Sequence, residues 1–505
     1  MCLDVRKRRG LAYSPVSVAK DLDRTELVLG VVSPVGSDLR RLEATLSTHI
    51  KRFGYSVNTI RVSNFLRQLD PASLGVRLKF EPEYQRIRTH MDAGNRVREM
   101  SGRGDILALH AASEINSQRV DEQPQPETVH VVLSLKHPQE VTALRRIYGA
   151  GFFLIGLYTP RTERQRNLEK LDMSARQASE LIKRDENEES DLGQQTSGTF
   201  YQADVFLSLN ASSATSFDSD VERFVDLIFG DPFRTPTASE HAMFLAFAGS
   251  LRSADLSRQV GAVVVSAAGE VIATGANDVP RHGGGLYWPG DGDQRDHVWG
   301  EDSNKVQIEK IVQDILHRAQ LKRRPASRSE LEDVLRGSRL QDLTEFGRAV
   351  HAEMEALLSC ARTGVSPRGG VLYCTTFPCH NCAKHIVAAG IERVFYVEPY
   401  PKSLAAELHK DAIAVDQETE DRVCFLPFTG VAARRYFDLF SLQVSSGRRV
   451  RRKDATGVQK ASWERRTAVP RVPMTADSFI EREVVAALSI RDTIQKSKAN
   501  ETRKK

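Results

Sequence analysis

The chain has 505 residues, 40% of them hydrophobic and 27% charged, enough for about two to four domains with ordinary cores. No run approaches the roughly 18 apolar residues of a membrane span. Six sparse cysteines, four of them between Cys360 and Cys382, argue against a disulfide-stapled scaffold and for metal or thiol chemistry.

The first twenty residues are basic and polar and lack the apolar stretch of an export signal, which predicts a cytoplasmic protein with a disordered start over 1–24. From Glu26, "ELVLGVVSP" reads as a strand, Gly36-Ser37-Asp38 as a turn, and "LRRLEATLSTHIKRFG" as a helix closed by Gly54. "HVVLSLKHP", "QEVTALRRIYG", "FFLIGLYTP" and "ADVFLSLN" continue the alternation, which predicts a parallel α/β sheet over 25–232. Between the last two, residues 161–198 are highly charged and predict an exposed helix or mobile insertion.

"FGDPFRTPT" carries two prolines and breaks the pattern. A second domain over 238–445 then opens with a hairpin, "GAVVVSA" and "EVIATGAN", followed by a long irregular section to Phe346. Next come a helix near Val350, the strand "GGVLYCTT", a helix over about 379–389, the strand "RVFYVEP", another helix and "VCFLPF". Residues 446–505 read as a basic tail. From Arg448 onward there are sixteen Lys/Arg against seven Asp/Glu, against a formal net charge of only +5 for the whole chain.

Within the second domain, His351 and Glu353 open one helix and Cys379 and Cys382 open the next. A helix start favours thiolates through its free N–H groups and dipole, and thiolates bind zinc. One histidine and two cysteines are the three protein ligands of a catalytic zinc site, whose open position holds a water with its pKa lowered to about 7. Glu353 stands beside the ligands as a carboxylate able to move a proton. A structural clip would need a fourth protein ligand, and a redox pair would leave His351 idle. His380 and His385 read as supporting or surface residues, Cys360 and Cys374 as small core residues.

His-Ala-Glu followed by Pro378-Cys-His-Asn-Cys382 is the signature of zinc nucleobase deaminases. The resemblance implies hydrolytic loss of ammonia from cytosine, with Glu353 carrying protons to the ring and to the leaving amine. The span Ser257 to Gly430 resembles the deoxycytidylate deaminases of the cytidine deaminase superfamily, through "SRQVGAVVV", "TGAND", "HAEMEALL", "TTFPCHNCAKHIVAAGIERVFYVEPYPKS" and "LPFTG". By that likeness His351, Cys379 and Cys382 hold Zn2+, Glu353 is the proton shuttle, and Asn277 contacts the nucleotide sugar. Glu355 departs from the family's His-Ala-Glu-x-Asn, and "RHGGGLYWPGDGDQRDH" is an insertion, read as a lid, a second metal site or a surface loop.

"GVVSPVGSD" looks like a P-loop, with Gly36 and Ser37 as phosphate candidates, though no lysine follows and Asp38 would repel a phosphate. A P-loop NTPase or kinase-like sheet followed by a three-layer α/β/α cytidine deaminase-like domain is the layout of two-domain bacterial anti-phage deaminases. That resemblance implies deamination of dCTP or dCMP, draining the cytosine deoxynucleotide pool during phage infection. It also implies control through the first domain and its bound nucleotide, a small inhibitory RNA in some members, and a homo-oligomer. The alternatives are a polynucleotide editor that tracks its strand with the basic tail, a housekeeping dCMP deaminase, and a nucleic-acid-binding regulator that has lost turnover.

Overall fold

Every residue of β1 (Leu27–Val32) is buried, as a strand covered on both faces must be. Its odd residues, Leu27, Leu29 and Val31, share a core with Leu42, Leu46 and Ile50 of α1 (Leu39–Lys51) and with Phe217 and Val221 of α7 (Ala214–Ile228). In this computed structural model the described residues are 24–502, apart from 70, 187–192, 211–213, 319–326, 337, 339, 341–342, 344, 401, 445–446 and 475. The expected disordered start therefore lies outside them, except for Arg24, which pairs with Glu127 and donates to the carbonyls of Phe53 and Arg466.

The chain divides into two units, residues 1–235 with 429–505, and residues 236–428. The first holds a six-stranded sheet that completes β1 with β2 (Ser56–Arg61), β3 (Thr128–Leu135), β4 (Phe152–Tyr158), β5 (Val205–Ser208) and β12 (Gly430–Val431). Their order is β12-β5-β4-β1-β3-β2, parallel throughout β1 to β5 and antiparallel only at β12. Helices α2 (Glu83–Ser101), α3 (Ile106–Ser117) and α4 (Pro138–Tyr148) belong to the same unit. The charged stretch after β4 is two helices, α5 (Arg161–Glu169) and α6 (Ala175–Glu186). They are not merely exposed: Leu168, Leu181 and Ile182 pack with Tyr84, Met91 and Met173 in a small core of their own.

The boundary expected at 445 falls instead at 428, and the expected basic tail belongs to the first unit. Val431 pairs with Val205 across the β12–β5 edge and is buried in the first core. Arg465 pairs with Asp226 at 2.9 Å, and Arg471 donates to the carbonyls of Asp438 and Ser441. The last helix, α13 (Ala476–Thr502), sends Glu483 into a buried ion cluster. There Arg119 bonds Glu483 at 2.6 and 2.8 Å and Glu26 at 2.9 and 3.2 Å, while His130 meets Glu26 at 2.8 Å.

In the second unit the sheet order is β10-β11-β9-β8-β6-β7. Its strands are β6 (Gly261–Val265), β7 (Val271–Ala276), β8 (Val371–Thr376), β9 (Arg393–Glu398), β10 (Ile413–Val415) and β11 (Val423–Pro427). The β6 strand runs antiparallel to both β7 and β8, and the rest are parallel. Two glycines set the layers. A side chain on Gly261 would strike the Ala246 carbonyl of α8 (Ala238–Ser250), and one on Gly275 would strike the Ala352 carbonyl of α11 (Ala352–Thr363). Ala262, not Gly261, lies opposite Gly275, so the two glycines face opposite ways and the two helices cover opposite faces.

The section expected to be irregular carries helices of its own, including α9 (Ser303–Arg318) and α10 (Arg328–Leu335). Ile308, Val312 and Leu316 pack against Leu331 and Leu335. No helix among the described residues is long and apolar enough to cross a membrane.

Candidate active site

Strand β8 leads through Phe377 and Pro378 to Cys379, the N-cap of α12 (His380–Ala388); the Cys379 sulfur accepts from the Cys382 N–H at 3.4 Å. His351 is the N-cap of α11 and is fixed from behind by paired backbone bonds between Val350 and Asp278. Two helix starts thus meet, and the dipole of each favours negative charge there.

His351 Nδ1 lies 3.3 Å from the Cys379 sulfur and 3.4 Å from the Cys382 sulfur, and the three donor atoms are all within 4.8 Å of one another. A tetrahedral zinc with ordinary bond lengths sets its nitrogen and sulfur ligands about 3.6 Å apart, so the three residues fit that ion. The hydrogen bond from Cys382, followed by that from His351, holds the Cys379 thiol down at about 4. The hydrogen bond with Cys379 lifts His351 to about 9, and the bond to Cys379 with burial pushes Cys382 upward. These shifts favour the thiolate at Cys379, the form that binds zinc.

Glu353 is 4% exposed, and burial raises its carboxyl above the usual range. It lines the same cavity as His351, Cys379 and Asn277, a space of about 570 Å3, well within the range of small-ligand sites. Asn277 is committed on two sides. Its Oδ1 accepts from Val260 N–H at 2.7 Å and its Nδ2 donates to the Arg258 carbonyl at 2.8 Å, which leaves one hydrogen and one lone pair for a ligand.

Glu355 pairs with Arg362 at 2.5 Å. His380 is held near Glu345 at 3.7 Å and His385 is exposed, while Cys360 and Cys374 are buried in the core beneath the cluster. Sequence reasoning missed Gly275, whose want of a side chain lets α11 lie directly on β7 and so positions His351 and Glu353. Its signal, a glycine inside a strand, was present. Gly275→Ala would put a methyl 2.1 Å from the Ala352 carbonyl. The expected cost is about 1–3 kcal/mol of stability and a roughly hundredfold loss of turnover from misplaced groups, measured below the variant's melting temperature.

The phosphate candidates belong to the other unit. Gly36 has φ +88° and packs against the Arg164 carbonyl, and its own carbonyl accepts from Asn167 at 3.0 Å. The Ser37 hydroxyl is buried without a hydrogen-bond partner among the described residues. Asp38 caps α1 by accepting from Arg41 N–H. The loop N–H of Val35 goes to the buried carboxylate of Asp185, which also pairs with Lys136 at 2.8 Å. An anion from the chain itself thus occupies one of the loop's donors.

Residues 236–398 match the family described as the cytidine and deoxycytidylate deaminase zinc-binding region. Over 78 residues the chain is 41% identical to ComE operon protein 2 of Bacillus subtilis (strain 168), covering 15% of this chain and 41% of that protein. It is 44% identical over 54 residues to the deoxycytidylate deaminase of Enterobacteria phage T2, covering 11% of this chain and 29% of that protein. The chain therefore spans less than half the length of either relative. Among solved structures it is similar to the dCMP deaminase of cyanophage S-TIM5 in complex with dCMP and dUMP, at 21% identity and a TM-score of 0.23, over 39% of this chain and all of that one.

Proposed function

We propose that the second unit is a zinc-dependent hydrolytic deaminase of free deoxycytidine nucleotides, converting dCMP or dCTP to the uracil nucleotide and ammonia. The observation that carries this is a buried carboxylate, Glu353, lining the same cavity as His351 and Cys379 of a His/Cys/Cys donor set with zinc spacing. Bound zinc supplies a Lewis acid that makes water nucleophilic near neutral pH. His351, Cys379 and Cys382 would hold the ion. Glu353 takes a proton from the attacking water and delivers it to the ring nitrogen, then carries a proton to the 4-amino group as the C4–N bond breaks. Burial serves that role, since a carboxyl raised above its usual range is a stronger base toward the attacking water and carries the proton at a pH nearer neutrality.

The finer reading draws its support from the sequence resemblance: depletion of the dCTP pool in phage defence, restraint through the first unit, a small RNA as restraining partner, and a homo-oligomer. A polynucleotide editor is less well served, because Arg465 and Arg471 of the basic segment are spent on internal partners.

The test is ammonia release from dCTP, dCMP, CTP and a cytosine-containing single strand. Turnover confined to deoxynucleotides is expected, with one zinc per chain and loss of activity on chelation that added zinc restores. Turnover confined to the strand would overturn the reading.

A further inference from the structure

The helical insertion between β7 and α11 contributes Asp302, Asn304, Lys305 and Ile308 to the lining of the cavity that holds His351 and Glu353. We propose that this insertion is the phosphate-reading wall of the site, with Lys305 and Arg258 as the two cations that take the nucleotide's phosphate. The proposal rests on the deaminase reading above and extends it to substrate recognition.

The wall is built rather than loose. Asn304 donates to the Leu343 carbonyl at 2.7 Å and accepts from Phe346 N–H at 3.2 Å, and Ser303 donates to the Phe346 carbonyl at 3.1 Å. Behind them lies the apolar seam of Ile308, Val312 and Leu316. Lys305 starts from a fixed turn, its N–H bonded to Asp302 at 3.1 Å.

Of the lysines and arginines on the lining, Arg258, Lys305, Arg348 and Lys402, the last is engaged in an interaction of its own. Arg348, also on the lining, is spent on Asp296 at 2.8 Å and stacks on Trp299 at 3.4 Å. The side chains of Arg258 and Lys305 are exposed and have no carboxylate partner among the described residues. The lining aspartates have partners of their own: Asp255 accepts from Ser257 and Arg258 N–H, Asp302 from Lys305 N–H, and Asp296 holds Arg348. Arg258 lies over the Tyr400 ring, 5.4 Å from its centroid, a contact that leaves its N–H groups without a carboxylate. With Lys305 it matches a phosphate dianion, and the arginine fork can grip two of its oxygens. Asn277 then acquires a second task. By holding the Arg258 carbonyl and the Val260 N–H it fixes the loop from which Arg258 reaches.

The experiment compares kcat/KM for dCMP, dCTP and deoxycytidine in the zinc-loaded full chain, in Lys305→Gln, in Arg258→Gln and in Lys310→Gln, a control on α9 away from the cavity lining. Calorimetry of dUMP and deoxyuridine on the same proteins reads binding without turnover. Each cavity variant should lower the ratio of nucleotide to nucleoside kcat/KM about tenfold or more, mainly through KM, and weaken dUMP by a similar factor. The control should leave both ratios in place. Unchanged ratios in both cavity variants overturn the proposal. A wild type that releases ammonia from none of the substrates overturns the deaminase reading instead, and the dUMP-to-deoxyuridine affinity ratio then decides on the two cations alone.

Discussion

Glu353→Gln is expected to lower ammonia release by about 10³–10⁴-fold, equivalent to roughly 4–5 kcal/mol of barrier, while zinc content stays at that of the wild type. The glutamine keeps the volume and still accepts a hydrogen bond, but it cannot move a proton. Glu353 is two residues from His351 and buried, so its loss removes chemistry rather than a ligand. His351→Ala or Cys382→Ser should lose both the metal and the activity, and comparison by metal analysis separates the two roles. A Glu353→Gln protein with near-normal turnover would show that another group carries the proton.

The second large effect concerns the first unit. Arg119 sits between two carboxylates, Glu26 and Glu483, with all three side chains at most 1% exposed. Arg119→Ala leaves two buried acids facing one another with weaker partners, His130 and the Gln125 N–H on Glu26 and Asn116 on Glu483, and breaking such a pair costs about 3–5 kcal/mol. The urea midpoint of the first unit should fall accordingly. Replacing the charges together, as in Glu26→Gln, Arg119→Met and Glu483→Gln, should recover much of that loss, because the desolvation of three ions is then no longer required. If Arg119→Ala unfolds at the wild-type midpoint, the cluster contributes nothing to holding α13.

Sequence patterning was most informative where burial is one-sided or complete. "ELVLGVV" reads as a strand because parallel strands are apolar on both faces, and the α11 and α12 starts were legible because zinc chemistry demands few residue types at short spacing. The errors have physical sources too. Counting cations over 446–505 hid a helical period in which Phe479, Glu483, Ala486 and Ile490 are all buried. A buried glutamate in that row looks like surface until Arg119, 364 residues earlier, supplies its partner. Ile308, Val312 and Leu316 likewise show a helical spacing inside a section whose glycines and aspartates suggested a loop. Strand β12 is two residues long and carries no pattern; only its pairing with β5 reveals it. The cavity's cations come from segments far apart in the chain, so no local reading could group them.

That same strand has a consequence for synthesis. Because residues 429–505 return to the first unit, the second unit is inserted within the first along the chain. A ribosome reading from the amino end therefore releases every residue of the second unit before it releases β12 and α13. The second unit can complete its fold while Glu26 and Arg119 still await Glu483, so the first unit closes its buried ion cluster only after the second has been synthesised.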